Sequence, residues 1–387
     1  MKITGVKPIL CDGGFRPWTF VKVTTDEGIV GYGDSSDWAS AGATAATLQE
    51  LEPMLIGLDP ANIEQIWWML FSKTVRSLGG IAHKAMSGIN SALWDIKGKK
   101  LGVPVYELLG GRMRDSIKLY WTQCASSRAL HHDVIGCAPV NSLEDVGAVA
   151  EEAVAKGFSA VKTYIFYPGL SRRSIFMTGR TITPEEIHQA EALVAAFRKH
   201  GGDDLGVALD IGWNFDMPSS IKLARVLEPY NMMFLETETL NAAALRTVRE
   251  SSRTPICTGE SIYMSHGFRP FLEEHAVDII MPDIAWNGIS MGKKIADFAE
   301  VYEVPLAPHN CHSPMTTMIT AHLCMAIKNF AVMEFEQDDV PWRDDVLTHP
   351  LDIRQGHLYL SDRPGFGVDL NEAEIAKHPY RQLLDAH

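Results

Sequence analysis

The sequence has no C-x-x-C pair and none of the paired cysteine and histidine spacings that hold zinc. Its six cysteines, Cys11, Cys124, Cys137, Cys257, Cys311 and Cys324, are scattered. A disulfide framework is therefore excluded, and the thiols read as reduced groups in a core or near a site. No apolar run approaches the roughly 18 residues of a membrane span. The opening MKITGVKPIL has neither a cationic stretch leading into a long apolar core nor a cleavage site. The expected location is the cytoplasm, with no membrane partner. Positive charge is also short, with 35 basic residues against 48 acidic ones and a formal net charge of -13. Such a surface repels backbone phosphates, which excludes nucleic acid as a partner and leaves a small molecule.

What is there is an ordinary globular composition, 46% hydrophobic and 21% charged over 387 residues. That length exceeds what one core usually supports, so more than one domain is expected. Apolar alternation in Lys2 to Cys11, Phe20 to Thr25 and Ile29 to Asp34, with a turn at Asp26-Glu27-Gly28, predicts an antiparallel meander. Helical spacing follows in TAATLQELEPML, NIEQIWWMLF and HKAMSGINSALWDIKGKKLG. Residues 1–116 thus read as an α+β domain. From Ile117 onward eight short apolar runs alternate with amphipathic helices. The runs are KLYWTQ, AVKTYIF, LGVALDI, MMFLETE, TPICTGE, VDIIMPDI, VPLAPHN and FAVMEFE. That pattern fits an α/β barrel over residues 117–350 better than an open doubly wound sheet. Residues 351–387 read as a strand, a Pro/Gly turn and a tail returning to the first domain.

From the second run onward a polar residue closes each one: Lys162, Asp210, Glu236, Glu260, Asp283, His309 and Glu334. Beyond Asp210 they recur at about the length of one β/α unit, so they converge on one mouth of a barrel. A lone residue of this kind is commonly a helix cap; the regular series is not explained that way. Asp210, Glu236 and Glu260 offer hard oxygen ligands on successive strands, which suits Mg2+ and disfavours zinc or copper. A divalent cation there offsets the charge that develops when the weakly acidic proton beside a carboxylate is removed. His309 is the expected base, with Asp283 fixing its tautomer and His312 as a nearby competitor.

These residues resemble the enolase superfamily, mandelate racemase subgroup, over nearly the whole chain. SALWDIKGKKLGVPVYELLGG is similar to the family's helix before the barrel, and VALD, FLE, TGE, MPD, PHN and VME fall in family order. VKVTTDEGIVGYGD resembles the subgroup's sugar-acid, galactonate-type dehydratases. The resemblance implies a modified TIM barrel of (β/α)7β type with an N-terminal capping domain. It also implies Asp210, Glu236 and Glu260 as Mg2+ ligands, His309 and Asp283 as a catalytic dyad, and Glu334 as hydrogen-bonded to a substrate carboxylate oxygen. Departures bear on the reaction. Racemases of the subgroup carry K-x-K on the second strand, whereas AVKTYIF keeps Lys162 and has Tyr164 at the second place. A phenol is a poor base at neutral pH, so two-base racemization is disfavoured. Gly212 stands where relatives carry asparagine or a histidine base, and Glu238 where E-E-P has proline.

One base suffices for dehydration of a polyhydroxy sugar acid to a 2-keto-3-deoxy acid, the leading expectation. His309 removes the α-proton, Lys162 stabilises the enediolate as an ammonium, and His309 or Tyr164 protonates the leaving hydroxyl. Racemization, epimerization or cycloisomerization through the same intermediate is the alternative, and a non-catalytic scaffold the third reading. Specificity is expected from capping-domain loops that include Arg16, Trp18 and Trp38, and from the 168–182 segment with Arg172 and Arg173. A symmetric homo-oligomer is the expected assembly.

Overall fold

The structure, a computed structural model, describes residues 1–170 and 179–381. Arg172 and Arg173, proposed above as specificity residues, lie outside the described residues. Strands β1 (Ile3–Asp12), β2 (Pro17–Thr25) and β3 (Val30–Asp34) form an antiparallel sheet in that order. Helices α1 (Ala41–Leu55), α2 (Ile63–Thr74), α3 (Gly80–Leu101) and α4 (Val105–Leu108) follow. Glycine allows α3 to lie close on the sheet, because a Cβ at Gly33 would collide with the Gly88 carbonyl oxygen. The second strand begins earlier than its apolar run suggests, and pairing of Asp12 with Pro17 leaves Gly13 to Arg16 as a tight connection.

The barrel strands are β4 (Ile117–Trp121), β5 (Ala160–Tyr164), β6 (Gly206–Asp210), β7 (Phe234–Glu236), β8 (Ile256–Thr258), β9 (Ile279–Ile280) and β10 (Met333–Phe335). They run parallel, and β10 pairs with β4. Helices α5 (Ser126–Ile135) and α6 (Leu143–Ala155) connect β4 to β5. The later crossovers use α7 (Pro184–Gly201), α8 (Met217–Leu227), α9 (Ala242–Arg249), α10 (Met264–Glu273), α11 (Ile284–Val301) and α12 (Pro314–Ala326). The run VPLAPHN does not form the expected regular strand. Only single bridges hold it, Ile280 to Leu306 and Asp283 to His309 on one side and Leu306 to Phe330 on the other. Prolines 305 and 308 lack the N–H that a regular ladder needs. Those bridges still complete an eight-position ring, giving a (β/α)7β barrel beneath an α+β capping domain.

The barrel floor is one buried side chain per position: Tyr120, Ala160, Ala208, Phe234, Cys257, Met281, Ala307 and Val332. Because alternate strand residues share a face, everything two residues further along points into the same interior, one layer nearer the mouth. Below the barrel, β11 (Ile353–Arg354) and β12 (His357–Leu358) make a hairpin whose second strand pairs antiparallel with β4. The chain then climbs to the capping domain. There Phe366 N–H donates to Asp95, Glu372 accepts from Lys22 and Tyr32, and Asp12 N–H donates to the His378 carbonyl. The domains also meet at the mouth, where Ser313 donates to the buried Asp34 at the end of β3 and Trp286 Nε1 donates to the Ser36 carbonyl at 2.9 Å.

Candidate active site

Two residues beyond each floor position stand Thr122, Lys162, Asp210, Glu236, Asp283, His309 and Glu334. Every group in this layer is polar, and every one is buried. The β8 position breaks the count. Gly259 occupies it with φ +133°, and a Cβ there would meet the Phe268 ring at 2.7 Å. The resulting kink moves the carboxylate one residue on, to Glu260, which keeps about a quarter of its side chain exposed. Three acids thus reach one spot although their spacing along the strands differs.

Lys162 is the single lysine of the layer, with Nζ 2.5 Å from Glu236, 2.8 Å from Glu334 and 3.7 Å from Asp210. Burial opposes its charge, yet Glu236 and Glu334 hold its pKa well above the ordinary lysine value. One ammonium does not neutralise so many acids. Burial first, and then Asp210, pushes Glu236 far above the carboxylate range. Burial and Glu260 likewise raise Asp210 to about 6, with Lys162 opposing. Glu236 Oε1 is buried and makes no hydrogen bond among the described residues. An all-oxygen set with an unmet carboxylate oxygen and excess negative charge fits a divalent cation.

His309 Nδ1 lies 2.6 Å from Asp283 Oδ2, which leaves Nε2 facing Glu260 at 3.1 Å and Cys311 Sγ at 3.2 Å. Burial alone would keep the ring neutral, but Cys311, Glu260, Glu334 and Asp283 raise its pKa well above the usual histidine value. His312 is not positioned as a rival base, because its Nε2 is 2.7 Å from the same Asp283 oxygen. Asp283 Oδ1 accepts the Trp286 N–H at 2.9 Å as the N-cap of α11. His309, Cys311 and His312 bring donor atoms within 4.8 Å of one another. With both imidazoles aimed at one carboxylate oxygen, this reads as a hydrogen-bonded base cluster rather than a metal cage.

A third layer follows at the next alternate residues: Tyr164, Gly212, Glu238, Cys311 and Glu336. Burial and Asp210 raise the Tyr164 phenol well above its ordinary value, so it carries its proton. Gly212, at φ +43°, replaces a side chain with a backbone N–H that donates to Asp210 Oδ1 at 2.8 Å. Glu238, which stands where E-E-P has proline, is buried. It accepts from Thr258 and the Gly259 N–H, and burial with Glu260 pushes it up to about 8.

Of the specificity candidates, Trp18 is corrected. It is a β2 residue with 0% exposure, packed in the capping-domain core against Phe20. Its tight-loop reading fails because the strand already begins at Pro17. Trp38 stays exposed at 37%, its ring 6.1 Å from Phe15, which stacks on His131 of α5. Arg16 is buried beside Asp339 and Glu336. Sequence reasoning missed Trp286, whose ring lies 5.6 Å from His309, and the third-layer Cys311 and Glu336. Alternation from His309 and Glu334 points to the last two; nothing in the sequence points to Trp286.

A capping domain over a (β/α)7β barrel, with acids at three successive barrel positions and an aspartate–histidine pair at the next two, defines an enzyme of the enolase superfamily. The chain belongs to the mandelate racemase / muconate lactonizing enzyme family: residues 14–110 match that family's N-terminal domain and residues 145–374 its enolase C-terminal domain-like part. It is 33% identical to a D-xylonate dehydratase of Haloferax volcanii over 97% of this chain and 89% of that one. To a D-galactonate dehydratase of Pectobacterium atrosepticum it is 34% identical, over 92% and 89%. Among solved structures, a candidate L-alanine-DL-glutamate epimerase from Burkholderia xenovorans, bound to magnesium and fumarate, superimposes with a TM-score of 0.95. The two are 33% identical and cover 99% and 98% of each other's chains.

Proposed function

We propose that the protein is a hydro-lyase that dehydrates a polyhydroxy sugar acid to a 2-keto-3-deoxy acid. The relatives that act as D-xylonate and D-galactonate dehydratases support this reading. The observation that carries it is the state of Lys162 and Tyr164. Lys162 is pinned as an ammonium by two carboxylates within 2.8 Å, and Tyr164 keeps its phenolic proton. Neither serves as a second base, whereas elimination needs only one base and a proton donor.

Asp210, Glu236 and Glu260 would hold Mg2+. When bound, it supplies positive charge that offsets the repulsion of the acids, draws down the basicity of His309 and stabilises negative charge on the substrate carboxylate. His309 Nε2 then takes the α-proton, with Asp283 holding Nδ1–H and so the tautomer. Lys162 orients the carboxylate, and Glu334, 2.8 Å from its Nζ, holds the ammonium in place. Lys162 donates to an oxygen that becomes more negative as the C–H bond breaks. Glu334 is itself fixed by the Asn310 N–H at 2.9 Å. The C–O bond at the β-carbon then breaks, and the hydroxide leaves as water with a proton from Tyr164 or from His309. The enol that remains tautomerises to the keto acid.

A panel of stereoisomeric pentonates and hexonates assayed with Mg2+ for semicarbazone-forming product tests this reading. Keto acid from at least one member is expected. Exchange of the α-proton with solvent deuterium without keto product would instead favour epimerization, the reading that the Burkholderia neighbour supports.

A further inference from the structure

Glu336 continues the line of β10 two residues beyond Glu334, so both carboxyls face the interior and Glu336 stands about 6.6 Å nearer the mouth. That step is comparable with the length of an extended chain of five or six carbons. Arg16 meets it from the capping domain, with Nη1 3.3 Å from Glu336 Oε2. Both side chains are nearly sealed, at 2% and 4% exposure. Part of each is already engaged. Arg16 Nη2 donates to Asp339 at 2.8 Å and to the His312 carbonyl at 3.0 Å, the Phe15 ring lies 4.4 Å from the guanidinium, and Ser127 donates to Glu336 Oε1 at 2.9 Å. The remaining edge is only loosely paired: Arg16 Nη1 and Glu336 Oε2 face each other as an ion pair that makes no hydrogen bond, and Arg16 Nε makes none among the described residues.

We propose that Arg16 and Glu336 read the distal hydroxyl groups of the substrate, and that the substrate is a polyhydroxy monocarboxylate rather than a dicarboxylate. The inference rests on the sugar-acid reading above and narrows it. A hydroxyl both accepts and donates, so it takes a proton from the guanidinium edge and gives one to Glu336 Oε2. A second carboxylate only accepts, and the charge at this end is already spent. With Glu336 ionised, Arg16 and Arg343 against Glu336, Asp339 and Asp344 leave a net charge of -1 (+2 - 3); with Glu336 protonated, the cluster is neutral. In either state no positive charge is left over to offset the desolvation of a second anion. Held rigid by Asp339, the His312 carbonyl and Ser127, the pair is organised before substrate arrives, which makes it selective for groups that meet both partners.

The test compares each sugar acid that the protein turns over with two analogues, its distal-deoxy form and its aldarate, in the full chain with Mg2+. The expected result is kcat/KM at least about tenfold lower for the distal-deoxy acid and about a hundredfold or more lower for the aldarate. Glu336→Gln and Arg16→Lys should each cut the preference for the hydroxylated acid over its deoxy form by about tenfold. A merely structural tie between the domains would lower both substrates alike and leave the ratio unchanged, which overturns the proposal. So does an aldarate processed as fast as its aldonate. Solvent deuterium exchange at the α-carbon, run in parallel, separates the two failures. Exchange that ignores the distal end sinks the distal pair and leaves enolizing chemistry standing. Absence of both exchange and keto acid across the panel sinks the sugar-acid reading and the pair with it.

Discussion

His312 Nε2 lies 2.7 Å from Asp283 Oδ2, the oxygen that His309 Nδ1 also approaches at 2.6 Å. One carboxylate oxygen therefore anchors two imidazoles, and its partner oxygen caps a helix. Asp283 has almost no freedom, and neither does the ring it holds. Replacing His312 with leucine removes one anchor, and kcat is expected to fall about tenfold with KM little changed, since a misoriented base costs rate more than binding. His312→Gln, which keeps an N–H donor, should recover most of the loss. Equal damage from both variants would mean that His312 merely fills space.

His309→Asn should reduce α-proton exchange by a factor of about 10²–10⁴, the usual contribution of a positioned base. Calorimetric Mg2+ affinity should change little, because His309 supplies no ligand in this scheme. Exchange that survives in the variant would move the base to Tyr164 or Lys162.

Mutual repulsion of the buried acids predicts a stability response to metal. Mg2+ at a hundred times its dissociation constant should stabilise the folded protein by about 2.7 kcal/mol, read as a rise in thermal midpoint that a chelator reverses. Glu236→Gln removes an acid whose ionisation burial and Asp210 oppose. Its metal-free midpoint should lie above that of the parent, and added Mg2+ should no longer raise it. A metal-free variant less stable than the parent would show that Glu236 is paired well enough by Lys162 alone.

His322 gives the protein an acid-sensitive seam away from the active site. Its Nδ1 accepts the Tyr106 N–H and its Nε2 donates to the Phe366 carbonyl, each at 3.2 Å, and burial depresses its pKa to about 3. An unfolded histidine titrates near 6.5. Between those values the unfolded chain binds a proton that the folded chain refuses, so stability is complete above about 6.5 and erodes as pH falls toward 3, by up to about 5 kcal/mol. Glutamine reproduces both hydrogen bonds without titrating. Chemical denaturation of His322→Gln should therefore give a flatter pH dependence in that window, and an unchanged slope would assign the sensitivity elsewhere.

Trp18 and Trp38, both specificity candidates by sequence, should behave oppositely. Trp18→Ala empties a core position and is expected to cost about 3–5 kcal/mol of stability. Trp38→Ala should leave the thermal midpoint nearly unchanged and alter kcat/KM, with the ranking of sugar acids as the readout.

Strand alternation and helical spacing make the two-domain plan readable, because each element's buried face repeats with its own period. The second-layer acids and His309 are readable for the same reason: they end apolar runs. VPLAPHN looks like a strand because its apolar residues alternate, yet prolines 305 and 308 reduce it to isolated bridges. Trp18 is misplaced by the sequence because a tight connection hides where a strand starts. For Arg16 the sequence offers only a place in a capping-domain loop, since no local pattern announces a partner more than 300 residues away, as Asp339 is. The double use of Asp283 depends on where two rings point in space, which spacing does not encode.

The layered barrel interior has a consequence for how this chain can change. Height above the floor separates the residues by role. On the proposed function, the lowest ring holds shape, the middle ring holds most of the reaction, and the upper ring, Tyr164 apart, meets what the substrate carries beyond its reacting carbons. New specificities can arise by exchanging upper-ring residues such as Glu238, Cys311 and Glu336 while the rings below stay as they are. A single inserted or deleted residue within a strand has no such modest outcome. It would rotate every group beyond it to the other face of the sheet, and exchange catalytic side chains for helix-facing ones in one step.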